Sequence, residues 1–161
     1  MQTRSLVHVP MAIKAPFRGR CDKKVIFQVA IGARNGRIYL EMRQKGAKDQ
    51  EFISIEGDCE VLVELKGAQV YFSKEHDAIT MKDDYTSFYG GLTYGDYDPE
   101  ADRYRSVSFY ARFNKTGKCD TSHPFNINVD LHQRGGKPEW VPISIDPDIK
   151  NPPPWVNSKP L

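Results

Sequence analysis

A chain of 161 residues with 39% hydrophobic and 11% aromatic content can bury one core without disulfide or metal staples, and this composition excludes wholesale disorder. Its net charge of +2 is too small to imply nucleic acid as a partner, and no apolar run approaches the ~20 residues of a membrane helix. The three cysteines, Cys21, Cys59 and Cys119, are an odd number that fits reduced thiols in a cytoplasmic protein better than a disulfide framework.

Residues 1–20, MQTRSLVHVPMAIKAPFRGR, mix cations and prolines without an apolar segment of signal-peptide length. They read as a basic arm, in which VHVPMAI could supply one extra strand. From residue 21 to 148 the dominant signal is alternation with period two. Strands are expected at about 25–33, 37–43, 51–56, 59–65, 68–73, 78–82, 86–94, 105–113, 125–132 and 140–145. Asn35-Gly36 joins the first two, because Asn-Gly supplies the positive φ angles of a type I′ hairpin. Lys66-Gly67-Ala68, Gly90-Gly91, Lys115-Thr116-Gly117 and Gly135-Gly136 read as later turns.

The inward faces can be named. In DCEVLVELK they are Cys59, Val61, Val63 and Leu65; in SVSFYARFN, Val107, Phe109, Ala111 and Phe113. In FNINVDLHQ, Phe125, Ile127, Val129 and Leu131 point inward, which leaves Asn126, Asn128, Asp130 and His132 to water. Such one-sided strands belong to antiparallel sheets. Pro142, within VPISID, cannot donate to a ladder, so its strand should lie at an edge or pair on one side only at that point. No segment of helical length carries a 3.6-residue period. The expected fold is therefore all-β, an antiparallel two-sheet immunoglobulin-like β-sandwich over residues 21–148. The tail 149–161 is proline-rich, favouring an extended surface path, with Trp155 tucked against the domain.

The stretch YGGLTYGDYDPEADRYRS carries the most suggestive side chains. Asp96, Asp98, Glu100 and Asp102 alternate like the early ligands of a calcium loop, although Ala101 stands where the turn glycine belongs and Val107 where the bidentate glutamate belongs. A polar strand-to-strand connection, with Asp-Pro starting a turn, explains them without a metal. Tyr89, Tyr94, Tyr97, Tyr104 and Tyr110 would offer rigid amphipathic contacts to a ligand if they share an exposed face, or would simply pack as strand residues. Cys119, His123 and His132 lack a fourth zinc ligand at convincing spacing. No nucleophile elbow, P-loop or dinucleotide fingerprint occurs. No catalytic residue is assigned; were there an activity, Asp96 and Asp130 would be the first carboxylates to consider. Calcium is the one cofactor the sequence suggests.

The closing segment, FNINVDLHQRGGKPEWVPISIDPDIKNP, resembles the final hairpin of small bacterial β-sandwich proteins of the DP-EP type and, more distantly, inclusion-body proteins. The likeness rests chiefly on Ile145-Asp146-Pro147-Asp148. It implies a compact bacterial β protein without an established enzyme activity, and it carries over no functional residue.

Charge is segregated: residues 1–24 sum to +5 and residues 83–102 to −6, an arrangement that steers partners. Together with exposed strand edges, this gives the expectation of a non-enzymatic binding or self-assembly module whose partner is a second copy or another protein. Two alternatives stand beside it. One is a small-ligand-binding protein or enzyme with a tyrosine-lined pocket; the other is a calcium-stabilised binding domain using the acidic loop 96–102.

Overall fold

A computed structural model describes residues 7–18, 21, 23–47, 50–117 and 120–156. Cys119, part of the basic arm and tail residues 157–161 lie outside them. Alternating sequence becomes eleven strands among the described residues: β1 Lys24–Arg34, β2 Arg37–Gln44, β3 Ile53–Ser54, β4 Cys59–Lys66, β5 Val70–Phe72, β6 Ile79–Met81, β7 Tyr89–Asp98, β8 Arg103–Ala111, β9 Ser122–His132, β10 Trp140–Ile145 and β11 Asp148–Lys150. No helix occurs among those residues, so none is long and apolar enough to cross a membrane.

The strands form two sheets. One has the order β2-β1-β4-β8-β7; the other runs β10-β9-β11-β3, with β5 and β6 also paired to β9. Both sheets are mixed, because β1 lies parallel to β4 and β11 parallel to β3. This corrects the expectation of purely antiparallel pairing. The chain leaves β2, crosses through β3 in the opposite sheet and re-enters beside β1 in the same direction, as parallel pairing requires. Alternation records which face is buried and is silent about the direction of a neighbour.

One core lies between the sheets. Phe27, Val29, Val61, Val63 and Phe109 of the first sheet meet Phe72, Ile79, Phe125, Ile127 and Val129 of the second, each at most 1% exposed. Asn35 and Gly36 adopt the expected positive φ angles, 53° and 74°, and close the β1–β2 hairpin. Pro142 lies on β10, which pairs only with β9 and so forms an edge.

Gly90 and Gly91 are not a turn. They sit inside β7 where the arm crosses it: Gly91 N–H donates to Ala12 O at 3.0 Å, and a Cβ on Gly90 would stand 2.3 Å from Lys14 O. Only glycine admits so close a backbone. Further back, Val9 exchanges two 2.8 Å backbone hydrogen bonds with Met81 of β6. The arm thus straps one sheet to the other through isolated bridges rather than a full strand.

The outward face of β9 is a second correction. Asn126, Asn128 and Asp130 are only 0%, 2% and 6% exposed, although the alternation assigns them to water. Asn128 bonds to Asp77 O, Thr80 Oγ1 and Ser144 Oγ, and its neighbours on that face are buried by two coverings. Asn126 Nδ2 donates to Val7 O at 2.8 Å beneath the arm. Asp130 lies under Arg103, carried by the β7–β8 hairpin as it reaches over β5.

Candidate functional site

The strand that carries Asp130 also carries His132, and antiparallel register places His132 opposite Trp140 of β10 and Asp130 opposite Tyr71 of β5. Directly opposed residues share a face, so Tyr71, Asp130, His132 and Trp140 form one patch at the end of the second sheet. The β7–β8 hairpin closes over it. Between them lies a cleft of about 950 Å³, bounded by the hairpin tip, the start of β5 and the β9–β10 connection.

Its wall is aromatic and cationic. The Arg103 guanidinium lies 3.5 Å from the Trp140 ring centroid, and the His132 ring stacks on Trp140 at 4.4 Å. Tyr71 meets Trp140 edge-on at 5.6 Å. Contacts of this kind are attractive through the ring quadrupole. Arg103 Nε donates to Asp130 Oδ2 at 2.8 Å, both side chains being about one-tenth exposed. The Lys74 amide donates to the same carboxylate oxygen at 3.2 Å. His132 Nε2 and Glu139 Oε1 are 2.9 Å apart.

Two ion pairs here differ in kind. Arg103–Asp130 is buried, and removing one partner of such a pair typically costs about 3–5 kcal/mol. Lys74–Asp102, at 2.7 Å, has side chains 50% and 60% exposed; such pairs are worth about 0–1 kcal/mol. Arg103 is therefore a fixed part of the wall, whereas Lys74 is free to exchange its carboxylate for another anion. Arg134 adds an exposed cation at the rim.

The four carboxylates singled out from the sequence divide between strand and turn. β7 runs on to Asp98, so Asp96 and Asp98 belong to a strand, and only residues 99–102 form the turn. Asp98 Oδ1 accepts the amide hydrogens of Glu100 and Ala101, at 2.9 and 3.3 Å, and closes that turn. Asp98 Oδ2 accepts from the Tyr71 hydroxyl at 2.9 Å, which holds its carboxyl below the usual range. Asp102 accepts from Lys74 and from the Tyr97 hydroxyl, and Lys74 foremost depresses its carboxyl as well. Asp96 and the Glu100 side chain face solvent. Among the described residues no three His, Cys, Asp or Glu side chains converge as a metal cluster.

The tyrosines separate likewise. Tyr94 and Tyr104 meet at a tilt, 5.2 Å between centroids, beside a smaller cavity, and Tyr97 tilts against the Tyr104 ring at 5.1 Å. Tyr89 is 0% exposed in the core, and Tyr110 lies on the outer face of the first sheet against Phe17. His123 and His132 stand at opposite ends of β9, about 30 Å apart at ~3.3 Å per residue, and Cys119 falls outside the described residues. Sequence reasoning missed Tyr71, Lys74, Arg103, Arg134 and Trp140. One signal was present: a hairpin closed at Gly135-Gly136 brings Trp140 back against His132.

Fold and cleft together define an all-β protein of two mixed sheets with an aromatic, charged recess at one end. The chain belongs to the family described as predicted novel nucleotide synthetase, pNTSase1, whose model matches residues 1–154. No curated protein matches it. Membership overturns the expectation of a non-enzymatic binding or self-assembly module. That expectation rested in part on finding no familiar catalytic motif, and this cleft is assembled from six strands and the connections between them, which no short motif spans.

Proposed function

We propose that the chain is an enzyme acting on nucleotides and that the cleft over Trp140 is where it binds them. The carrying observation is one recess in which Tyr71, His132 and Trp140 meet exchangeable cations. A nucleobase is a planar π-system that stacks on aromatic and guanidinium faces for about 1–3 kcal/mol, and its phosphates need cations within reach. Lys74 and Arg134 supply them. Lys74 leaves Asp102 at little cost, while Arg103 stays on Asp130 and braces Trp140. The volume fits: ligand sites span roughly 300–1,000 Å³. The family's description as a predicted nucleotide synthetase supports the same substrate class.

Thermal unfolding of the full chain with nucleoside triphosphates tests this. A ligand at a hundred times its Kd stabilises the native state by about 2.7 kcal/mol, so the midpoint rises. Replacing both Lys74 and Arg134 by Ala should remove most of that rise while leaving the ligand-free midpoint within about a degree, because both are exposed. A wild-type midpoint that no nucleotide moves sinks the reading.

A further inference from the structure

The β7–β8 hairpin borders a second, smaller cavity that also touches the Lys74–Asp102 bridge. It measures about 320 Å³, and Lys74, Asp102 and Arg103 line both recesses. The two spaces are thus neighbours that share a wall, in which Lys74–Asp102 is the exposed ion pair. The far walls of the smaller one are ring-bearing. Tyr94 and Tyr104 meet at a tilt along one side, 5.2 Å between ring centroids, and His76, itself stacked on His8 at 4.5 Å, closes another. Tyr94 is held in place because its hydroxyl accepts the Ala78 amide hydrogen at 2.8 Å.

We infer that this cavity is a second subsite, which takes the base and sugar of a nucleoside while its phosphate reaches the Lys74 bridge. The ligand class rests on the nucleotide reading of the larger cleft; the cavity itself does not. Three physical features fit it to that occupant. Its volume suits a nucleoside and little more. Its rings offer a stacking wall that tolerates any base. Its lining includes the cation that the larger cleft also uses, so a ligand in each space would meet at Lys74. An exposed ion pair is a partition that either ligand's phosphate can displace. A synthetase joins two reactants, and adjoining subsites sharing one cation hold two reactants within reach of each other.

An AMP titration of the isotope-labelled full chain, followed by NMR, separates the two spaces. The Trp140 indole N–H reports on the larger cleft, and the backbone amides of His76 and Tyr104 report on the smaller. Two distinct saturation curves are expected. Tyr104→Leu should weaken the second roughly tenfold or more through the lost stacking and leave the first within about twofold; Tyr104 is 39% exposed, so the core is untouched. One curve shared by all three signals, or a second curve unmoved by Tyr104→Leu, overturns the subsite and leaves the larger cleft's assignment standing. Movement at His76 and Tyr104 with a silent Trp140 does the reverse. Silence at every signal removes both.

Discussion

Two polar aromatic clusters sit at opposite ends of β9, and only one of them is open. At the Ser122 end, His123 Nε2–H donates to Asp120 O at 3.0 Å, which leaves Nδ1 to accept the Tyr89 hydroxyl at 2.6 Å. Asn151 Nδ2 donates to that hydroxyl and to Arg112 O, while its Oδ1 accepts from the Asn114 amide. Tyr85 and Phe88 lie on the His123 ring. Tyr89, His123 and Asn151 are 0% exposed, and burial drives the Tyr89 phenol far above its ordinary range. At the His132 end, a histidine, aromatic rings and a carboxylate surround a cleft instead. The inventories are alike. What distinguishes a ligand site from a structural knot is access to solvent and cations that can change partner.

The largest expected effect tests the one part of the open end that is built like the closed end. Arg103→Ala strands the Asp130 carboxylate under the hairpin, and breaking such a pair should cost about 3–5 kcal/mol, read as a lower urea midpoint. Arg103→Met with Asp130→Leu should recover most of that loss, since an apolar pair of similar volume replaces a buried ion pair at little cost. A single variant as stable as wild type would show that the wall is not anchored there.

The next effect sharpens the contrast through one atom. Tyr89→Phe removes the hydroxyl that His123 accepts and Asn151 donates to, which should cost about 1–3 kcal/mol. Tyr71→Phe removes a hydroxyl bonded to a carboxylate that water can reach, and should cost less than about 1 kcal/mol. Paired denaturation curves decide it. Equal losses would mean the two ends are equally sealed.

The strands were legible because each core-facing residue of β4, β8 and β9 recurs every second position; Val61, Val63, Phe109 and Ile127 are where the pattern puts them. The outer face of β9 was not legible. Asn126, Asn128 and Asp130 look like solvent residues, and what covers Asn126 and Asp130 comes from residues more than twenty positions away. Such coverings leave no periodic trace in the strand they cover. The cleft was hidden for the same reason. Arg103, Tyr71 and Trp140 meet only after the hairpin has reached over β5, whereas the conspicuous feature of the sequence is the alternating carboxylates, of which Asp98 closes a turn and Asp102 makes a surface pair. Gly90 shows the limit from the other side: a glycine pair reads as a turn until the arm that needs its missing Cβ is in place.

The smallest effect concerns how the hairpin tip holds to β5. Asp98 and Asp102 are both depressed, the first by the Tyr71 hydroxyl and the second by Lys74. A carboxyl lowered in the folded state contributes stability in full above its unfolded value of about 4, and that contribution is lost as pH falls through the folded value. The tip should therefore be indifferent between pH 5 and 8 and loosen only in more acidic solution. The Glu100 and Ala101 amides report this directly, because both donate to Asp98 Oδ1. Their NMR shifts should stay flat down to about pH 4 and then move together, and Asp98→Asn should flatten the curve throughout. The closed end provides the control. Its bonds join neutral side chains and backbone, so the Asn114 amide, held by Asn151, should not follow the Asp98 titration. Were it to move in step with Glu100, the two ends of β9 would be coupled rather than independent, and the division between knot and cleft would have to be redrawn.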